Sequence, residues 1–151
     1  MNRKRLCIWS TIAAMLVVTI SAVAMTGTEA ITERQEEMKG VYTEMKTFAA
    51  IAKKEQPVDA QADQARASRK ADHLAKAAEL FPDGSLEGDV ETWSKPEIWS
   101  DRERFDELMA STQQAAVEMQ SVADAGAFMP ALGKLGSGCK SCHEMYRLPK
   151  D

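Results

Sequence analysis

The chain has 151 residues, 44% of them hydrophobic and 28% charged, with 6% aromatic residues, 8 glycines and 5 prolines. That length and balance describe one globular domain and exclude a large multidomain enzyme or a disordered chain. Arg3, Lys4 and Arg5 precede an uncharged stretch over 6–25 that ends in Ala22-Val23-Ala24, so residues 1–24 read as an export leader cleaved after Ala24. The same stretch is long enough to span a bilayer, which makes an uncleaved membrane anchor the alternative. The expected mature domain, 25–151, is periplasmic. Without the leader, 16 basic residues stand against 23 acidic ones, a net charge of −7. Such a domain is a poor nucleic-acid binder and suits small molecules or proteins with basic faces.

Four helical segments follow in chain order. The first, 29–54, repeats Ile31, Met38, Met45 and Ala52 every seven residues, with Val41 and Phe48 on the adjoining row and Arg34 interrupting it. Gln56-Pro57 ends it. The second, 58–81, aligns Ala60, Ala67, Leu74 and Phe81 beside Gln64, Ala71 and Ala78, a face built largely of alanine that permits close approach or leaves room for a bulky group. Pro82-Asp83-Gly84-Ser85 stops it, and 86–99 shows no periodicity and reads as a long crossover loop covering something. Ser100-Asp101-Arg102-Glu103 has the spacing of a capping box for the third helix, whose seam is Phe105, Leu108, Thr112, Ala115, Met119 and Val122. After a break at Asp124-Ala125-Gly126, the fourth carries Phe128, Leu132, Leu135, Cys139, Cys142 and Tyr146, and Pro130 fits only in its first turn. Four amphipathic helices without a strand signal predict an all-α protein, an antiparallel up-down-up-down four-helix bundle with a long loop between the second and third helices.

The chemistry is concentrated at Cys139-Lys140-Ser141-Cys142-His143. Cysteines three apart share one helix face, so both sulfurs can add to the vinyl groups of one haem, and the next histidine is directed at its iron. Two rivals exist. A zinc site would have to recruit His73 and use adjacent Cys142 and His143, while a redox dithiol of thioredoxin type lacks its βαβ setting. Gly133, Gly136 and Gly138 each weaken a helix by about 1 kcal/mol, which a flat macrocycle or tight helix packing would explain. No pair of Glu-x-x-His motifs supports a di-iron bundle, and no side chains suggest acid/base or nucleophilic catalysis, so an enzyme is not expected. His73, beside Asp72, reads as a solvated surface residue, and Met45, Met109, Met119 and Met129 read as core.

Gly138-Cys139-Lys140-Ser141-Cys142-His143-Glu144-Met145-Tyr146-Arg147, with Arg34-Gln35-Glu36-Glu37-Met38-Lys39, Phe81-Pro82-Asp83-Gly84-Ser85 and Pro96-Glu97-Ile98-Trp99-Ser100, resembles the cytochrome c′ family of exported haem proteins and its low-spin relatives. The resemblance spans about 31–147. It implies one covalent haem c through Cys139 and Cys142, with His143 as proximal iron ligand. It further implies that Arg34 and Gln35 serve a haem propionate, that Glu91 and Thr92 lie near the propionates, and that Arg147 neighbours the ligand ring. Two of these have a plainer alternative: Arg34 snorkelling to the bundle end, and Arg147 as a surface cation at the helix dipole. Met38 matches the position that is an apolar distal guard in cytochrome c′ and an iron ligand in low-spin relatives. The favoured expectation is an electron carrier between redox protein partners. The alternative is a five-coordinate protein that binds NO or CO. Lys39 and Glu37 are expected to face away from the seam, and a homodimer through the first two helices would use Val41, Tyr42 and the alanines.

Overall fold

The computed structural model describes residues 25–149. The expected leader and its cleavage site at Ala24 lie outside them. No helix among the described residues is long and apolar enough to cross a membrane.

Among the described residues five helices form the fold: α1 (Gly27–Ala52), α2 (Ala60–Glu79), α3 (Glu97–Ser100), α4 (Arg102–Met119) and α5 (Ala125–Tyr146). The four long ones make the expected bundle, and α3 is a single turn inside the crossover. Thr26 starts α1 with a capping box: its hydroxyl accepts from the Glu29 amide at 3.2 Å while the Glu29 carboxylate accepts from the Thr26 amide at 2.9 Å. Lys54, at φ +62°, turns the chain out of it. Asp59 caps α2 through the Ala62 amide, and Asp124 caps α5 through the amides of Gly126 and Ala127.

Two expectations fail at helix starts. Ser100 belongs to α3, and Asp101, the residue before α4, makes no side-chain cap; its carboxylate instead accepts from the Tyr146 hydroxyl at 3.1 Å. Because Asp124 starts α5 at Ala125, Pro130 falls in the second turn and removes the amide that would have reached the Gly126 carbonyl.

The core has two parts. At one end Phe48 and Phe128 meet edge to face, with ring centroids 5.8 Å apart, among Val41, Ala67, Leu74, Met119 and Leu135. At the other, Phe81, Phe105 and Tyr146 stack in successive T-shaped pairs beside Ile98 and Met109. Fully burying each such ring contributes roughly 2–3 kcal/mol. Met109 and Met119 are core as expected, whereas Met129 is 51% exposed because it falls outside the Phe128–Leu132–Leu135 row. Val41 and the α2 alanines 67, 71 and 77 are buried, whereas Tyr42 and Ala65 are exposed and Ala60, Ala62, Ala75 and Ala78 are half-buried.

Packing around the bundle is uneven. α1 lies on α2, α2 on α4 and α4 on α5, but α1 and α5 have no comparable interface and close on each other mainly where Phe48 meets Phe128. The crossover spans this opening at the far end. On the α1 side, Thr92 and the Glu91 carbonyl accept from Arg34 and Gln35. On the α5 side the Lys95 amide donates to the Tyr146 carbonyl at 3.0 Å and the Leu148 amide to the Trp93 carbonyl at 2.7 Å. The long segment therefore straps the two helices that fail to pack.

Candidate functional site

Cys139 and Cys142 lie one turn apart on α5, half-buried and unpaired. Cys139 packs against the Phe48–Phe128 part of the core, and Cys142 against the Phe81–Phe105 part. The two sulfurs thus straddle the place where the core divides. Met38 of α1 joins the same cluster as Cys142, which sets its thioether on the opposite wall. Burial, then the neighbouring Cys139, pushes the Cys142 thiol up to about 11. A thiol held that high is protonated at neutral pH.

His143 opens onto a surface cleft of about 590 Å³ that it shares with Lys95, Lys140, Glu144, Arg147, Leu148 and Pro149. Although the residue is exposed to the cleft, desolvation of its ring, then the Arg147 charge, holds its pKa below the ordinary imidazole value. The neutral ring is the form that can ligate a metal. Arg147 reaches past it to lie 5.9 Å from the Trp93 ring, so it links α5 to the crossover instead of standing free at the helix end.

Arg34 is 3% exposed, which excludes snorkelling. It donates to the Leu80 carbonyl, the Ser85 hydroxyl and the Thr92 hydroxyl at 3.3, 3.2 and 2.9 Å, and its guanidinium lies 5.0 Å from the Phe81 centroid. No carboxylate pairs with it among the described residues, and burial lowers its pKa to about 10. Gln35 donates to the Glu91 carbonyl at 2.7 Å. Thr92 thus stands in the site through its hydroxyl, whereas Glu91 enters through its backbone and leaves its side chain exposed.

The family model described as Cytochrome C′ matches residues 29–147. The chain belongs to the cytochrome c′ family. Relatives include cytochrome c′ of Rhodopseudomonas palustris, 34% identical over 91% of this chain and 94% of its own length. Cytochrome c-554 of Cereibacter sphaeroides is 36% identical over 69% of this chain and 81% of its own. A nitric oxide complex of a cytochrome c′ variant from Alcaligenes xylosoxidans superposes with a TM-score of 0.73 at 27% identity, covering 85% of this chain and all of that one.

Cytochromes c′ bind c-type haem covalently, and the residues here fit that group. The α1/α5 opening leaves space, two free thiols border it, and Arg34 lacks the anion that a propionate would provide. Close packing explains one of the three glycines of α5. A Cβ on Gly133 or Gly136 would meet nothing within 4 Å, but one on Gly138 would come within 2.6 Å of the Thr112 hydroxyl, so Gly138 serves close packing of α5 on α4.

His73 is not a solvated surface residue. Its Nδ1 lies 2.6 Å from the Glu37 carboxylate, and its ring covers Gly40, where a Cβ would sit 2.5 Å away. Glu37 therefore faces α2, contrary to expectation, while Lys39 turns to solvent with Glu36. Three site features were missed in the sequence. Ser85 is buried against Arg34, Trp93 backs Arg147, and Lys70 is fully buried on α2. Lys70 lies on neither assigned row, although it stands three residues after Ala67 and four before Leu74 and so borders both on the helix surface.

Proposed function

We propose that this cytochrome c′ family member is a periplasmic electron carrier whose haem would be attached through Cys139 and Cys142 and held by His143 and Met38. The carrying observation is the position of Met38, across the α1/α5 opening in the cluster that also receives Cys142. When bound, haem would supply a one-electron iron couple, and a thioether ligand from Met38 would raise its potential and close the iron to other ligands. The chain's own residues do the rest. His143 presents a neutral nitrogen, Arg34 and Gln35 hold the propionate end under the crossover, and the apolar residues around Cys142 keep water from the distal side. Exchange would occur at the His143 cleft, with a redox protein as partner.

The nitric oxide complex of the Alcaligenes xylosoxidans relative supports a second reading, in which Met38 is an apolar guard and the iron binds NO or CO. Optical spectra of the purified protein, oxidised and dithionite-reduced, with and without CO, separate the two. Sharp α and β bands indifferent to CO are expected for Met38 ligation. A high-spin ferrous spectrum whose Soret band shifts with CO would replace the carrier by the gas binder.

A further inference from the structure

Lys70 is the most expensive side chain in the bundle without an evident function. Its residue is 0% exposed, and its Nζ has no hydrogen-bond partner among the described residues. An unpaired buried ammonium is strongly disfavoured, so apolar residues of similar size would serve packing better. The nearby carboxylate, Glu44, is already engaged: Arg69 donates to both of its oxygens, at 2.7 and 3.1 Å, and Arg66 approaches at 3.8 Å. On its own helix Lys70 is flanked by Ala67, Ala71 and Leu74, all buried. Cys139 of α5 packs against the same core cluster as these three neighbours, which brings it to the Lys70 side chain.

We infer that Lys70 is a potential-setting residue, a fixed buried cation beside the Cys139 attachment point that favours the ferrous over the ferric state. The inference rests on the proposed haem site. One electron passes from a protein donor to ferric iron and gives ferrous iron; no bond forms or breaks and no proton moves. Ferric haem carries one more positive charge than ferrous haem, so a nearby cation opposes oxidation. Burial lowers the Lys70 pKa to about 8, which leaves the ammonium predominantly protonated at neutral pH. Two unit charges about 10 Å apart at an effective dielectric of about 20 interact strongly enough to shift such an equilibrium roughly tenfold.

The test is a potentiometric titration of the haem-loaded protein at pH 7 for wild type, Lys70→Met, Lys70→Gln and Lys70→Arg. The uncharged variants are expected to lower the ferrous-to-ferric ratio at fixed poise by about tenfold, a midpoint drop of about 59 mV, with Lys70→Arg staying nearer wild type. Lys70→Gln carries the test if Lys70→Met does not accumulate. Unchanged midpoints in both uncharged variants would overturn the inference. So would a low-spin to high-spin change confined to the Lys70 variants, which would make the amine an iron ligand. A pyridine haemochrome spectrum of wild type separates the two levels of the argument: without a two-thioether haem the site reading itself fails, and Lys70 falls with it.

Discussion

Gly138→Ala probes how α5 presents the attachment motif. The glycine precedes Cys139 directly, and its missing Cβ would lie 2.6 Å from Thr112 Oγ1, 3.2 Å from Thr112 Cβ and 3.3 Å from Thr112 Cγ2. Thr112 is 3% exposed, and its hydroxyl donates to the Leu108 carbonyl at 2.7 Å, so it cannot swing into solvent. Overpacking of this kind costs about 1–3 kcal/mol, offset by up to about 1 kcal/mol because alanine loses less backbone entropy than glycine on entering a helix. The net expectation is a loss of up to about 2 kcal/mol. Gly133→Ala on the same helix meets nothing and should gain up to about 1 kcal/mol. Guanidinium unfolding of the haem-loaded proteins, followed by far-ultraviolet circular dichroism, measures both. In a Thr112→Ala background the clash is removed, so Gly138→Ala should become neutral or stabilising, with a coupling energy of about 2 kcal/mol. Equal behaviour of the two glycine variants, or no rescue by Thr112→Ala, would refute the close-packing account.

Met38→Ala should turn a CO-indifferent ferrous spectrum into a CO-responsive one, and no change would remove Met38 from the iron. Arg34→Met loses three hydrogen bonds and the proposed propionate partner, so unfolding of the haem-loaded protein should show a loss of about 1.5–3 kcal/mol; a gain in stability would mean that the guanidinium is buried without an anion. Lys70 gives a pH signature. Its pKa falls from 10.5 to about 8 on folding, so between those values the unfolded chain holds a proton that the folded one lacks. Stability should therefore rise from pH 8 towards pH 10 in wild type relative to Lys70→Met, by up to about 3 kcal/mol over the full window. Titrations should stop near pH 10, because Tyr146, whose pKa is raised by burial and Asp101, contributes with the opposite sign above it.

The four long helices and the haem motif were legible because each rests on spacing within one segment. A seven-residue recurrence marks a buried row whatever that row packs against, and Cys139, Cys142 and His143 lie within five positions. Arg34 was legible for a related reason: a charge on an apolar row needs a buried partner, and the structure supplies the burial and leaves the partner's place. Ser100 and Pro130 were misread because capping is decided by where the helix actually starts, and Asp101 is claimed by Tyr146 and Asp124 opens α5 early.

What spacing could not reveal was the polar interface between α1 and α2. Glu44 with Arg69, and Glu37 with His73, are 25 and 36 residues apart, and neither half of either pair signals burial alone. Glycine 40 makes the approach possible, since any larger residue would collide with the imidazole. The resulting asymmetry organises the site. α1 is held to α2 by charges and a histidine ring, and to α5 chiefly by one aromatic contact and the crossover strap. The bundle packs its helices on three sides, and under the proposed function the fourth would receive the macrocycle between the cysteine motif on α5 and Met38 on α1.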